Sequence, residues 1–197
     1  MLAALILSAG ASSRMGRPKA LLPYREGTFL EHLMEVTRDP RIEVTRVVLG
    51  AGAETIRAVA NLDPSVVILN SEWEKGQLSS IRAGLRSLDG VDLDGMVLCP
   101  VDHPLVSALL VSELVTKFYE LKKAIVLPTY KGRRGHPVIF SKQLFGELLS
   151  APEETGARAV VWAHAGEVLE VPTDEEGVIL NLNAPDMLKR ATGQDAK

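Results

Sequence analysis

Apolar positions in this chain follow two spacings. Short, nearly continuous runs appear at "AALIL" (3–7), "TRVVLG" (45–50), "SVVILN" (65–70), "GMVLC" (95–99) and "AIVLP" (124–128). They are rich in Val, Ile and Leu and do not alternate with polar residues, as in strands buried on both faces of a parallel sheet. Between them the spacing changes to three and four. "TFLEHLMEVTRD" puts Phe29, Leu30, Leu33, Met34 and Thr37 on one side, and "GQLSSIRAGLRSL" does the same with Leu78, Ile81, Leu85 and Leu88. "SALLVSELVTKFYEL" opens with Ser107 as a helix cap. Strand followed by helix, four times over, predicts a doubly wound, mostly parallel α/β sheet with helices on both faces. The rhythm breaks after Pro128. "TYKGRRGHPVIF" reads as a loop and a short strand, and "GVILNLN" (177–183) as a further strand.

Composition narrows the class. With 197 residues and 46% apolar content, one domain with a sizeable core is expected over residues 1–192, with a frayed tail at 193–197. A net charge of −3 argues against broad nucleic-acid binding. No apolar run reaches the roughly 20 residues that span a bilayer. No basic stretch precedes the first apolar run, as a signal peptide would require. The single cysteine, Cys99, cannot form an internal disulfide and fits a reducing compartment. These features point to a cytoplasmic protein that binds neither membrane nor nucleic acid. Cys99 reads as a buried strand residue, and Trp73 and Trp162 as packing residues. His32, His103 and His164 show no zinc-ligand spacing.

Candidate chemistry gathers in "LILSAGASSRMGRPKALLP" (5–23), which leaves the first strand at the edge where such sheets bind ligands. Gly10 and Gly16 let the backbone turn, and exposed amides there form an anion-binding concavity. Arg14, Arg17 and Lys19 add positive charge, and an arginine can grip phosphate with two parallel bonds. The loop lacks the Gly-Lys-Ser/Thr of a Walker A motif and is not GxGxxG. Its composition alone would also suit a solvated basic turn. Asp102 stands just beyond "GMVLC", at the same edge, either as a cation ligand or as a turn former before Pro104.

The order of these residues is more specific than their composition. It resembles the signature loop of the MobA-like nucleotidyltransferases, close to LAAGxSxRMGxxKxLLP, with Ser8 in place of the first alanine. "GQLSSIRAGL" (76–85) resembles the family's second nucleotide segment, and "CPVDHPLV" (99–106) its GDxPxV metal segment. "GRRGHPVIF" (132–140) and "EETGARAVV" (153–161) resemble stretches of the molybdopterin cytidylyltransferase branch. "NLNAPDML" (181–188) stands where DIDTPEDL is usual.

The resemblance implies a Rossmann-like fold and Mg²⁺-dependent transfer of CMP from CTP to the molybdenum cofactor (molybdopterin), with Mn²⁺ as a substitute metal. A recipient molybdoenzyme or its chaperone is the implied further partner. Guanylyl transfer, transfer to a sugar phosphate, and a non-catalytic nucleotide- or cofactor-binding protein are the alternatives. Arg14, Lys19 and Asp102 carry the implied catalysis. Leu7, Ala9, Gly10, Arg14, Lys19, Gln77 and Ser80 bind the nucleotide, with Ser80 favoured over Ser79. Asp102 and Asn183 hold the metal, and Arg133, Arg134, His136 and Arg158 meet the acceptor. Two departures weaken the pattern. Val101 replaces the glycine before the metal aspartate, and Asn181 and Asn183 replace the terminal aspartates, so Asn183 offers an uncharged oxygen or caps the helix expected near Pro185.

Overall fold

A computed structural model describes residues 1–183, 187–189 and 193, with the side chain of Arg14 left aside. The elements in chain order are β1 (Leu2–Ser8), β2 (Pro23–Tyr24), β3 (Gly27–Thr28), α1 (Phe29–Val36), β4 (Ile42–Leu49), α2 (Ala53–Val59), β5 (Val67–Leu69) and α3 (Gln77–Arg86). There follow β6 (Gly95–Pro100), α4 (Ala108–Leu121), β7 (Ile125–Tyr130), β8 (Arg133–Arg134), β9 (Val138–Ser141), α5 (Phe145–Ser150), α6 (Arg158–Ala163) and β10 (Val168–Pro172).

The main sheet runs β10-β7-β9-β6-β1-β4-β5, with β8 added to β7. β1 pairs in parallel with β4 and β6, β4 with β5, and β7 with β10. β9 runs the other way and fills the place between β6 and β7, pairing with both.

Alternate residues of the central strands feed two cores. Leu2, Ala4 and Ile6 pack with Phe29 and Leu33 of α1, Ile56 of α2 and Leu114 of α4. Leu5 and Leu7 pack on the other face with Leu78 and Ile81 of α3, Leu148 of α5 and Val160 of α6. The helices therefore cover both faces, as the spacing predicts. A Cβ on Gly84 would fall 2.2 Å from a Leu5 methyl, so a glycine is needed where α3 presses on β1. α1 starts with a capping box between Thr28 and Glu31, and the Ser107 side chain caps α4 by accepting from Leu110 N. Among the described residues no helix is long and apolar enough to cross a membrane.

Three expectations need correction. The run 65–70 yields a three-residue edge strand entered through a short 3₁₀ turn, and Leu69 is exposed rather than buried. Residues 177–183 form no strand. A 3₁₀ turn covers Glu176–Ile179, and the backbone of the turn and of the residues after it cross-links loops: Val178 O accepts from His136 N (2.9 Å), and Leu182 N donates to Asp102 O (2.8 Å). Their hydrogen bonds are directed to two separate loops and leave no neighbour to pair along. β10 was not anticipated. The tail expected at 193–197 lies outside the described residues except for Gly193.

Candidate active site

β1 ends at Ser8, and the chain turns over the carboxyl edge of the sheet into a loop tied at both sides. Ser12, in the left-handed region at φ 52°, accepts from Lys19 N through its hydroxyl at 3.1 Å. Ala9 O accepts from Ala51 N at 3.0 Å. Gly50 allows this approach, since a Cβ there would sit 2.7 Å from Ala9 O and 2.6 Å from Trp73 Cβ. Among the described residues, apart from its two chain neighbours, nothing lies within 4 Å of a Cβ built on Gly10, so the space above that residue is open.

That space is a cleft of about 210 Å³. Leu7, Ala9 and Gly10 form its base, and Lys19, Gln77, Ser80 and Asp102 its walls. The structure thus gathers those residues, drawn from three distant segments, at one edge of the sheet. Arg14 lies on the short 3₁₀ turn Ser13–Met15 of the same loop; its side chain lies outside the description. Trp73 is half-buried against Gly50 and also borders the cleft.

Charge is concentrated on one wall. Lys19 Nζ stands 3.4 Å from Asp102 Oδ2 and donates to Asn183 Oδ1. Both charged side chains are largely buried, at 13% and 24% exposure, so their attraction is screened less than on an open surface. Asn183 Oδ1 thereby accepts from an ammonium group; the position near Pro185 where a helix capped by it was expected to start lies outside the described residues. An ammonium group already rests between the two oxygens proposed to hold a metal. The donor set, one carboxylate and one amide oxygen, suits a hard cation that takes its remaining ligands from phosphates and water. Among the described residues no group of three His, Cys, Asp or Glu side chains could hold a metal unaided.

Asn70, just past β5, was not singled out from the sequence. Its buried Nδ2 donates to Ser79 Oγ at 2.9 Å and Ser80 Oγ at 3.0 Å, and its Oδ1 accepts from Glu72 N. Ser79 donates its own hydrogen to Gly76 O at 2.8 Å. Ser80 lines the cleft and Ser79 does not, which agrees with the preference for Ser80. An Asn in a strand-end turn carries no local signal of this role, because the partners lie nine and ten residues ahead.

A second cavity, of about 680 Å³, adjoins the first, sharing Gly76 and Gln77 as lining. Arg134, His136 and Arg158 line it, while Arg133 is exposed beside it on β8. Arg134 is paired with Glu170 at 2.8 Å. The His136 ring lies 4.7 Å from that of His103. Burial, reinforced by His103, pushes His136 down to about 4, and burial lowers His103 as well, so the His136 ring is neutral near pH 7. Among the described residues, Nδ1 of each ring is buried with no hydrogen-bond partner. Trp162 also borders this cavity and is 63% exposed, which overturns its assignment as a packing residue. Cys99 is buried as expected, and burial raises its thiol to about 12, too high for a thiolate nucleophile.

Comparison with known proteins bears on this site. Residues 4–168 match the MobA-like NTP transferase domain. The nicotine blue oxidoreductase of Paenarthrobacter nicotinovorans is 32% identical over 78% of this chain and 78% of its own. The molybdenum cofactor cytidylyltransferase of Escherichia coli K12 is 27% identical over 92% of this chain and 91% of its own. The crystal structure of Rv0371c from Mycobacterium tuberculosis H37Rv superposes with a TM-score of 0.82 at 29% identity, covering 98% of this chain and 97% of that one. A manganese complex of Rv0371c superposes with a TM-score of 0.77 at 26% identity, covering 98% of each chain.

Proposed function

Because the chain belongs to the MobA-like NTP transferase family, we propose that it transfers CMP from CTP to molybdopterin and releases pyrophosphate. One observation carries the reading: the charged cleft holding Lys19 and Asp102 opens into the larger cavity lined by Arg134, His136 and Arg158. A triphosphate in the first and a phosphorylated acceptor in the second would meet at Gly76 and Gln77.

The terminal phosphate of the acceptor is the nucleophile. One of its oxygens bonds to the α-phosphorus as the bond to pyrophosphate breaks, so no serine or thiolate is required. Catalysis then consists of positioning and charge stabilisation. Lys19 and Arg14 draw the β- and γ-phosphates into the loop and offset charge on the departing pyrophosphate. Gln77 and Ser80 hold the base over Leu7–Gly10. Arg133, Arg134 and Arg158 take the acceptor's anionic end, and the neutral His136 offers it a hydrogen-bonding nitrogen. Asp102 and Asn183 would hold Mg²⁺, or Mn²⁺ as in the Rv0371c complex, and the metal would withdraw charge from the phosphate oxygens. The preference for CTP rests on "GRRGHPVIF" and "GAR", and the product passes to a molybdoenzyme or its chaperone.

The test is a matrix of four nucleoside triphosphates against molybdopterin and common sugar phosphates, with pyrophosphate measured. CTP with molybdopterin is expected to be fastest. GTP in its place would make the chain a guanylyltransferase, and turnover with sugar phosphates alone would reassign the acceptor. Absence of pyrophosphate in every cell of the matrix would leave a binding protein.

A further inference from the structure

Trp162 and Arg158 lie four residues apart on α6, which places them on one helix face at the edge of the second cavity. The floor there is apolar: Leu98 of β6, Leu127 of β7, and Val138 and Phe140 of β9. At the floor's margin stands His136. The Trp162 indole borders this cavity at 63% exposure, so its ring is accessible to a ligand held there. The cavity's volume of about 680 Å³ falls within the range of sites that enclose a small organic ligand.

We propose that Trp162 selects the acceptor: its indole stacks on the face of a planar fused-ring heterocycle, and Arg158 meets an anionic substituent of the same molecule. This rests on the transferase reading of the site and specifies the acceptor class within it. A flat aromatic ring uses both the apolar floor and the indole face. A sugar phosphate has an anionic end for Arg158 but no π-face for Trp162, so it gains only part of the site. Stacking on an aromatic side chain changes affinity about tenfold or more.

The test uses the full chain and pterin-6-carboxylate, a fluorescent, planar, anionic probe, with binding read by fluorescence anisotropy. Trp162→Ala is expected to weaken binding about tenfold, Trp162→Phe to restore most of it, and Arg158→Ala to weaken it independently. Glucose 1-phosphate should compete poorly. Circular dichroism of each variant verifies the fold, which an exposed side chain does not support. Equal probe affinity in Trp162→Ala and the parent chain would overturn the proposal. So would glucose 1-phosphate displacing the probe at equal concentration. If the parent chain releases no pyrophosphate yet binds the probe in a Trp162-dependent way, the selection stands and the transferase reading falls.

Discussion

Lys19 is held by the same two oxygens assigned to the metal, Asp102 Oδ2 and Asn183 Oδ1. If those oxygens hold the metal as proposed, its ammonium would compete with a divalent ion whenever no triphosphate is present to draw it away. Lys19→Met is expected to slow turnover by roughly two to three orders of magnitude, as loss of a group facing developing charge does. The same variant should bind Mn²⁺ more tightly without nucleotide, read by electron paramagnetic resonance; unchanged Mn²⁺ affinity would remove Lys19 from the cation position. Asn183→Asp should lower the Mg²⁺ concentration for half-maximal rate, because a carboxylate binds a hard cation better than an amide does. Asn183→Ala should raise it. If neither moves in a magnesium titration, Asn183 does not face the metal.

α3 and the strand-end turn after β5 are fastened together by Asn70. Asn70→Ala removes the side-chain acceptor of the Glu72 backbone N–H and the donor to both serine oxygens. It should cost roughly 1–3 kcal/mol in urea melts, as for a buried hydrogen-bonding group deprived of its partner. It should also raise the KM for nucleoside triphosphate more than that for the acceptor. Equal changes in both would mean that the turn merely supports the fold. How far such elements could be read in advance depends on how local their causes are. β1, β4, β6 and β7 announce themselves because burial on both faces demands unbroken apolar runs. The spacing of Leu78, Ile81, Leu85 and Leu88 marks α3, and all four are buried. The cleft was legible through ordered motifs at the ends of β1 and β6. The insertion of β9 between β6 and β7 was not, because "VIF" carries no sign of which strands it will join. Trp162 was misplaced for a related reason: exposure depends on what α6 packs against, not on the residue type.

At the scale of the whole molecule, one charged tie joins the corner before β4 to α4. Asp39 accepts from Arg41, which also donates to Thr116 Oγ1 at 2.9 Å and to Ser112. The Arg41 bonds hold the Asp39 carboxyl at about 2, below its ordinary 3.8. The folded state thus favours the ionised form, so this stabilisation is complete above the unfolded value and disappears as pH falls from about 4 towards 2. Asp39→Asn should lower stability by roughly 1–2 kcal/mol at pH 7, a reduced value for a charge-assisted bond with a partly exposed arginine. The deficit should shrink towards pH 2. A gap that stays constant over that range in paired denaturation curves would show that the carboxylate's charge is not responsible. The reversed strand β9 has a consequence for the order in which the protein can assemble. β6 and β7 never touch as sheet neighbours; the chain must continue to Ser141 before anything joins them. While a ribosome is still synthesising the second half, β1, β4 and β5 already have their partners, whereas β6 waits for β9 along one edge and β7 waits for neighbours along both. Pulse-labelled hydrogen exchange should therefore protect amides of β1 and β4 before those of β7. The nucleotide floor would be laid down first, and the acceptor cavity would close around it.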